Sequence, residues 1–152
     1  MDNPFEDYPG YLLRRAAGAK LAHLSRRLEP LGVLVTEASV IVMIAHNPGV
    51  SQAECGRLLA VQRTNMNPIV RRMIERGWIA VHKGRGRAQG LSMTPVGQEL
   101  AAAIETVFVD HENWIMAAVP DALRPHVMPI LRALRLAEDR EDETPLPDPA
   151  SA

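Results

Sequence analysis

The run SQAECGRLLAVQRTNMNPIVRRMIERG, Ser51 to Gly77, decides the fold. Ser51 and Glu54 have the spacing of a capping box, in which each side chain satisfies the other's backbone N–H, so a helix starts there and runs to about Leu59. A second helix covers RTNMNPIVRRMIER, with Ile69, Val70, Met73 and Ile74 on its inner face and Gly77 as its C-terminal stop. Its opening is odd, because polar side chains crowd together ahead of Pro68, where a helix should already be running. With Gln62 or Thr64 as the cap, Pro68 falls near the first turns, and a bend there tilts the polar run against the packed part.

Working outward, Leu13, Ala17, Leu21, Leu24, Leu28 and Leu31 recur at steps of three and four, the stripe of a long amphipathic helix. Thr36 is placed to cap a further helix containing Val40, Ile41 and Ile44, which the Asn47–Gly49 turn ends. After Gly77 the pattern changes to two short β-prone runs, WIAVH and GLSM, around the cationic KGRGRAQ, which predicts a two-stranded hairpin. Thr94 and Pro95 then open a helix carrying Leu100, Ile104, Val107, Phe108, His111, Trp114, Ile115 and Ala118 on one face. Asp121 is placed to cap a last helix with Leu123, Val127, Ile130, Leu131 and Leu134, interrupted by Pro125 and kinked at Pro129.

Composition limits the function classes. The chain of 152 residues is 47% hydrophobic and 4% aromatic, enough for one aliphatic core. No apolar run approaches the roughly 20 residues that span a bilayer, and the acidic start lacks the plan of a signal peptide, so a cytoplasmic protein without membrane contact is expected. The single cysteine, Cys55, agrees with a reducing compartment and reads as a buried structural thiol. The net charge of -1 hides a division: residues 51–97 carry eight basic and two acidic groups, residues 98–152 four and eleven. A basic middle with an acidic end suits a chain that offers one surface to a polyanion, although charged blocks also form ordinary solvated faces. No phosphate loop, nucleophile elbow or activated Cys–His pair is present, and the five histidines lack helical metal spacing. No catalytic residue, metal site or cofactor is therefore assigned.

A mainly α chain with a small β-hairpin, three helices before it and long apolar helices on either side, has the plan of a winged helix-turn-helix with an α-helical association region. In this order and spacing, Pro48, Gly49, Ser51, Glu54, Leu59, Arg76, Gly77, Arg87, Thr94 and Gly97 resemble the MarR family of bacterial transcription regulators. The resemblance covers roughly residues 10–137. It implies one winged-helix domain over residues 1–137, with dimerisation helices at about 10–32 and 95–137 and a DNA-binding lobe at about 36–94. Residues 138–152, acidic and proline-rich, read as a disordered tail. The resemblance further implies a homodimer whose first, fifth and sixth helices interlock and whose two recognition helices meet double-stranded DNA at a near-palindromic operator.

The residues themselves support DNA contact. A recognition helix, here 62–76, reads base edges from its N-terminal side chains, and Gln62, Arg63, Thr64, Asn65 and Asn67 occupy that place. Arg pairs with guanine and Asn or Gln with adenine, each pair worth roughly 1–3 kcal/mol of discrimination. The competing reading is an ordinary polar helix cap. Arg71 and Arg72 lie further along, suited to phosphates or to intramolecular pairs. In the wing, 82–90, Lys83, Arg85 and Arg87 alternate with glycines and suit a narrow minor groove. The family's wing has Asp-Arg-Arg where this chain has Arg85-Gly86-Arg87, so an ion pair that would steady the wing is lost.

Family members commonly bind a small aromatic acid, its thioester or another effector between the dimerisation helices and the DNA-binding lobe. Arg14, Arg15, His23, Met43 and His46 are the candidate lining, with an arginine available to a carboxylate; solvated, ion-pairing and core roles compete for each. The reading is a ligand-responsive dimeric regulator, most simply a repressor. Its rival is a winged-helix module that binds a protein partner, or DNA without effector control.

Overall fold

The computed structural model describes residues 2–83 and 89–141, with side chains as far as residue 136. They fall into two compact units that divide after Glu112. In chain order the first unit contains α1 (Pro9–Leu28), a 3-10 turn at Glu29–Leu31, α2 (Val35–His46), β1 (Val50–Ser51), α3 (Gln52–Leu58), α4 (Arg63–Glu75), β2 (Ile79–Lys83) and β3 (Gln89–Met93). α5 (Pro95–Ala117) begins in it and ends in the second unit, followed by a 3-10 turn at Asp121–Leu123 and α6 (Arg124–Glu141).

α2 is the centre of the first unit: Val40, Ile41 and Ile44 have no exposed surface, so this helix is apolar nearly all round. Leu28 of α1, Val33, Ala38, Cys55 of α3, Met66, Ile69, Val70 and Met73 of α4, Ile79, Leu91, Ala101 and Ile104 complete the core. Ile74, expected in that core, is 44% exposed. Met66, Ile69, Val70 and Met73 already fill the inward stripe of α4 at steps of three and four, and Ile74 lies on its flank.

The predicted hairpin is present, antiparallel from Ile79 opposite Met93 to Lys83 opposite Gln89. A third strand joins it, β1, pairing Val50 with Leu91 and Ser51 with Gly90 to give the order β1-β3-β2. Two residues are too few for alternation to reveal, and Ser51 carries the α3 cap as well. Thr94 caps α5 as expected: Gly97 N–H donates to its Oγ1 at 3.0 Å, and Oγ1–H donates to the Gly77 carbonyl at 2.6 Å. This draws α5 so close to the strand start that a Cβ on Gly97 would lie 1.9 Å from the Trp78 carbonyl oxygen. Only glycine fits there.

Two expected caps move. α2 is capped from Leu34, and Thr36 lies inside the helix; the Leu34 N–H is satisfied by the Glu37 carboxylate at 2.9 Å. Asp121 opens the 3-10 turn and pairs with Arg124 at 2.7 Å, while Arg124 Nε donates to the carbonyls of Met116 and Val119, both at 3.1 Å. Pro125 does not interrupt α6, because it is the second residue, where a missing N–H has no helical acceptor to lose. Pro129 lies inside α6, which continues through it. Among the described residues no single helix is long and apolar enough to cross a membrane.

Candidate nucleic-acid interface

The interface is built where α3, α4 and the hairpin meet. Ser51 Oγ accepts the Glu54 N–H at 3.2 Å, and the Glu54 carboxylate accepts the Ser51 N–H at 2.9 Å and hydroxyl at 2.6 Å. These bonds hold the Glu54 carboxyl below the usual carboxylate range, the hydroxyl contributing most. α4 starts at Arg63, with Gln62 as the N-cap in extended conformation and its carbonyl accepting from Asn65 and Met66 at 2.9 and 3.0 Å. Gln62 makes no side-chain cap bond, so its amide is left facing outward with Arg63, Thr64 and Asn65, all exposed. Met66, one step on, is buried and anchors that polar turn to the core.

Asn67 is also exposed, and its Oδ1 accepts from Gln52 Nε2 at 2.5 Å, tying α3 to α4 across the turn. The two helices and the sheet edge enclose an open cleft of about 650 Å³, bordered by Gln52, Arg57, Arg63, Asn67 and Gln89 among others. Gln52 and Arg57 were not singled out from the sequence. The signal was there for Arg57, as a cation within the basic segment; for Gln52 nothing local shows that it reaches Asn67, 15 residues on.

Arg71 is exposed, with Glu75 3.9 Å away on the same helix. Arg72 is half-exposed and turned onto Glu37: its Nε and terminal nitrogen lie 2.8 and 2.7 Å from Glu37 Oε1, and the Glu37 side chain is only 5% exposed. Lys83 is exposed at the end of β2. Arg85 and Arg87 lie outside the described residues.

Four of the five candidate ligand residues have separate partners within the chain. The Arg14 guanidinium sits over the Tyr11 ring at 5.4 Å, and Arg15 is exposed. His23 Nδ1 is 2.9 Å from His111 Nδ1, with the rings stacked 5.1 Å apart. Burial, then His111 and the cations Arg26, Arg27 and Lys20, hold the His23 imidazole below its ordinary pKa. Met43 packs against the core with Asn47 Nδ2 3.4 Å from its sulfur, and His46 Nε2 pairs with Glu105 at 2.7 Å. Cys55 is fully buried and its thiol is pushed up to about 11 by burial, as a structural cysteine should be.

A cation-bordered helix-turn-helix beside a three-stranded wing agrees with what known proteins show. The MarR family sequence model matches residues 31–88. The HTH-type transcriptional repressor Rv2887 of Mycobacterium tuberculosis is 32% identical over 105 residues, 67% of this chain and 76% of that protein. The chain belongs to the MarR family. The MarR fold extends beyond the matched region: the crystal structure of Rv2887 in complex with DNA superposes with a TM-score of 0.68 at 27% identity, covering 88% of this chain and 98% of that one. Rv2887 in complex with salicylic acid gives 0.66 at 27% identity, over 88% and 97%. The repressor CouR, bound to a 23-mer DNA duplex, shares the fold at a TM-score of 0.79 and 19% identity, over 89% and 99%. This chain is accordingly a DNA-binding transcriptional regulator of the MarR type.

Proposed function

We propose that this MarR protein is a homodimeric, ligand-responsive repressor of a near-palindromic operator. α4 enters the major groove with Gln62, Arg63, Thr64, Asn65 and Asn67 at the bases, Arg71 serves a phosphate, and Lys83, Arg85 and Arg87 of the wing follow the minor groove. The observation that carries the reading is the outward polar turn Gln62–Asn65, fixed from behind by buried Met66. A homodimer is supported by apolar side chains left open on α1, Leu13 and Leu21 at 46% and 56% exposure, and on α6, Ile130 and Leu131 at 56% and 47%.

The effector is an aromatic acid or its thioester, a reading supported by the salicylic acid complex of Rv2887. A ligand that favours a dimer whose recognition helices miss the half-site spacing, roughly 34–36 Å, draws the population off DNA. A mobility-shift assay on the DNA flanking its own gene, repeated with a panel of aromatic acids and thioesters, tests both parts. Specific retardation relieved by one compound is expected. Retardation without sequence preference would remove the repressor, and retardation that no compound relieves would leave an effector-independent DNA-binding module.

A further inference from the structure

Glu37 is a buried acid far from the polar turn of α4, yet both of its oxygens are committed. Oε2 accepts the Leu34 N–H at 2.9 Å and closes the turn into α2, while Oε1 takes the Arg72 guanidinium through Nε at 2.8 Å and a terminal nitrogen at 2.7 Å. One helical turn later Arg76 donates to the Gly32 carbonyl at 2.9 Å and lies over the Trp78 ring at 4.8 Å. α4 is thus fastened at two successive turns to the segment Gly32–Glu37, which leads from the Glu29–Leu31 turn into the first turn of α2. A buried carboxylate stripped of its arginine is left uncompensated, so the pair forms or fails as a unit.

We infer that Glu37 is a positioning residue for operator recognition, acting through Arg72 to set the tilt at which α4 offers its N-terminal turn to the bases. The inference rests on α4 being the recognition helix. Arg72 is about 14 Å along the helix from Arg63, at 1.5 Å per residue. A tilt of about 5° at that fastening moves the reading end by roughly 1 Å, more than the tolerance of a 2.7–3.2 Å hydrogen bond. Arg72 is therefore a strut and not a phosphate ligand, and its loss should damage discrimination while leaving general attraction to DNA intact.

Glu37→Gln, Arg72→Gln and the double variant test this, with affinities for the operator and for a random duplex of equal length measured by fluorescence anisotropy across a salt series. Each single variant should weaken operator binding about tenfold, leave random-DNA binding within about twofold, and keep the wild-type salt slope; the double variant should be no worse than either single. An operator-to-random ratio within about twofold of wild type in folded variants would reduce the pair to a structural contact and overturn the inference. A salt slope reduced by about one in Arg72→Gln, with both DNAs weakened alike, would make Arg72 a phosphate ligand and overturn it equally. If circular dichroism shows either single variant unfolded, the double variant, which leaves no buried charge unpaired, decides in its place. Wild-type protein that prefers no flanking DNA would fail the recognition-helix reading itself, before any variant is compared.

Discussion

Arg63 and Lys83 are both exposed cations of the basic middle segment, and the proposed interface gives them different work. Arg63 is the first residue of α4, where a planar guanidinium can reach a guanine edge with two parallel bonds; Lys83 ends β2 as a point charge. Arg63→Ala should lower the operator-to-random ratio by about tenfold or more, whereas Lys83→Ala should weaken both DNAs alike and reduce the salt slope by about one. Equal effects of the two in a binding titration would show the DNA-facing surface to be misplaced. His23 permits a different kind of test. Its folded pKa is below 6.5, held down first by burial and then by His111 and nearby cations, so the unfolded chain takes up a proton that the folded chain resists. Stability is therefore full above that value and declines as the pH falls through it, until the lower folded value is passed. Thermal melting between about pH 5 and 7.5 should show this decline, and His23→Gln should flatten it. An unchanged pH profile in the variant would place the decline elsewhere.

At the scale of elements, what was legible in the sequence was local. The Ser51–Glu54 box, the Thr94 cap and the Gly77 stop, which has a φ of +70°, all depend on neighbours within a few residues, and all three are present. The polar turn of α4 was legible for the same reason. Contacts that close over distance were not. The strand Val50–Ser51 exists only because Leu91 and Gly90 arrive beside it, and the Arg72–Glu37 pair spans 35 residues. The candidate ligand residues share that difficulty, because a lining is made by packing and no spacing on α1 or α2 reports what each side chain will meet. Pro68 stands between the two cases. It is the sixth residue of α4, beyond the first turns, so its missing N–H leaves the Thr64 carbonyl without its intrahelical donor. Pro68→Ala should restore that bond and raise stability by about 2–2.5 kcal/mol, roughly 3 less the 0.4–1 of entropy returned to the unfolded chain. Operator preference should fall at the same time, because Thr64 belongs to the turn proposed to read the bases. A denaturant midpoint that drops, or a preference that is unchanged, would separate Pro68 from recognition.

For the whole molecule, the distribution of apolar surface carries the argument. Leu13 and Leu21 belong to the six-residue stripe of the first helix, but only its end is used within the chain: Leu28 is fully buried, while the two earlier leucines are 46% and 56% exposed. A helix that holds its stripe for five turns and buries the last of them has a face to cover, and α6 repeats the pattern with Ile130, Leu131 and Leu134. In the homodimer we propose, a second copy of the chain covers such faces, and its recognition helix supplies the other half-site. Leu21→Glu places a carboxylate in that face at a position that packs against nothing essential in the single chain. The variant should run as a monomer by light scattering at concentrations where the wild type is a dimer, and its operator affinity should fall by about 100-fold or more, because each half-site is then bound alone. Random-DNA binding per chain should change far less, since its cations are untouched. A variant that stays dimeric with full operator affinity would move the association surface off α1.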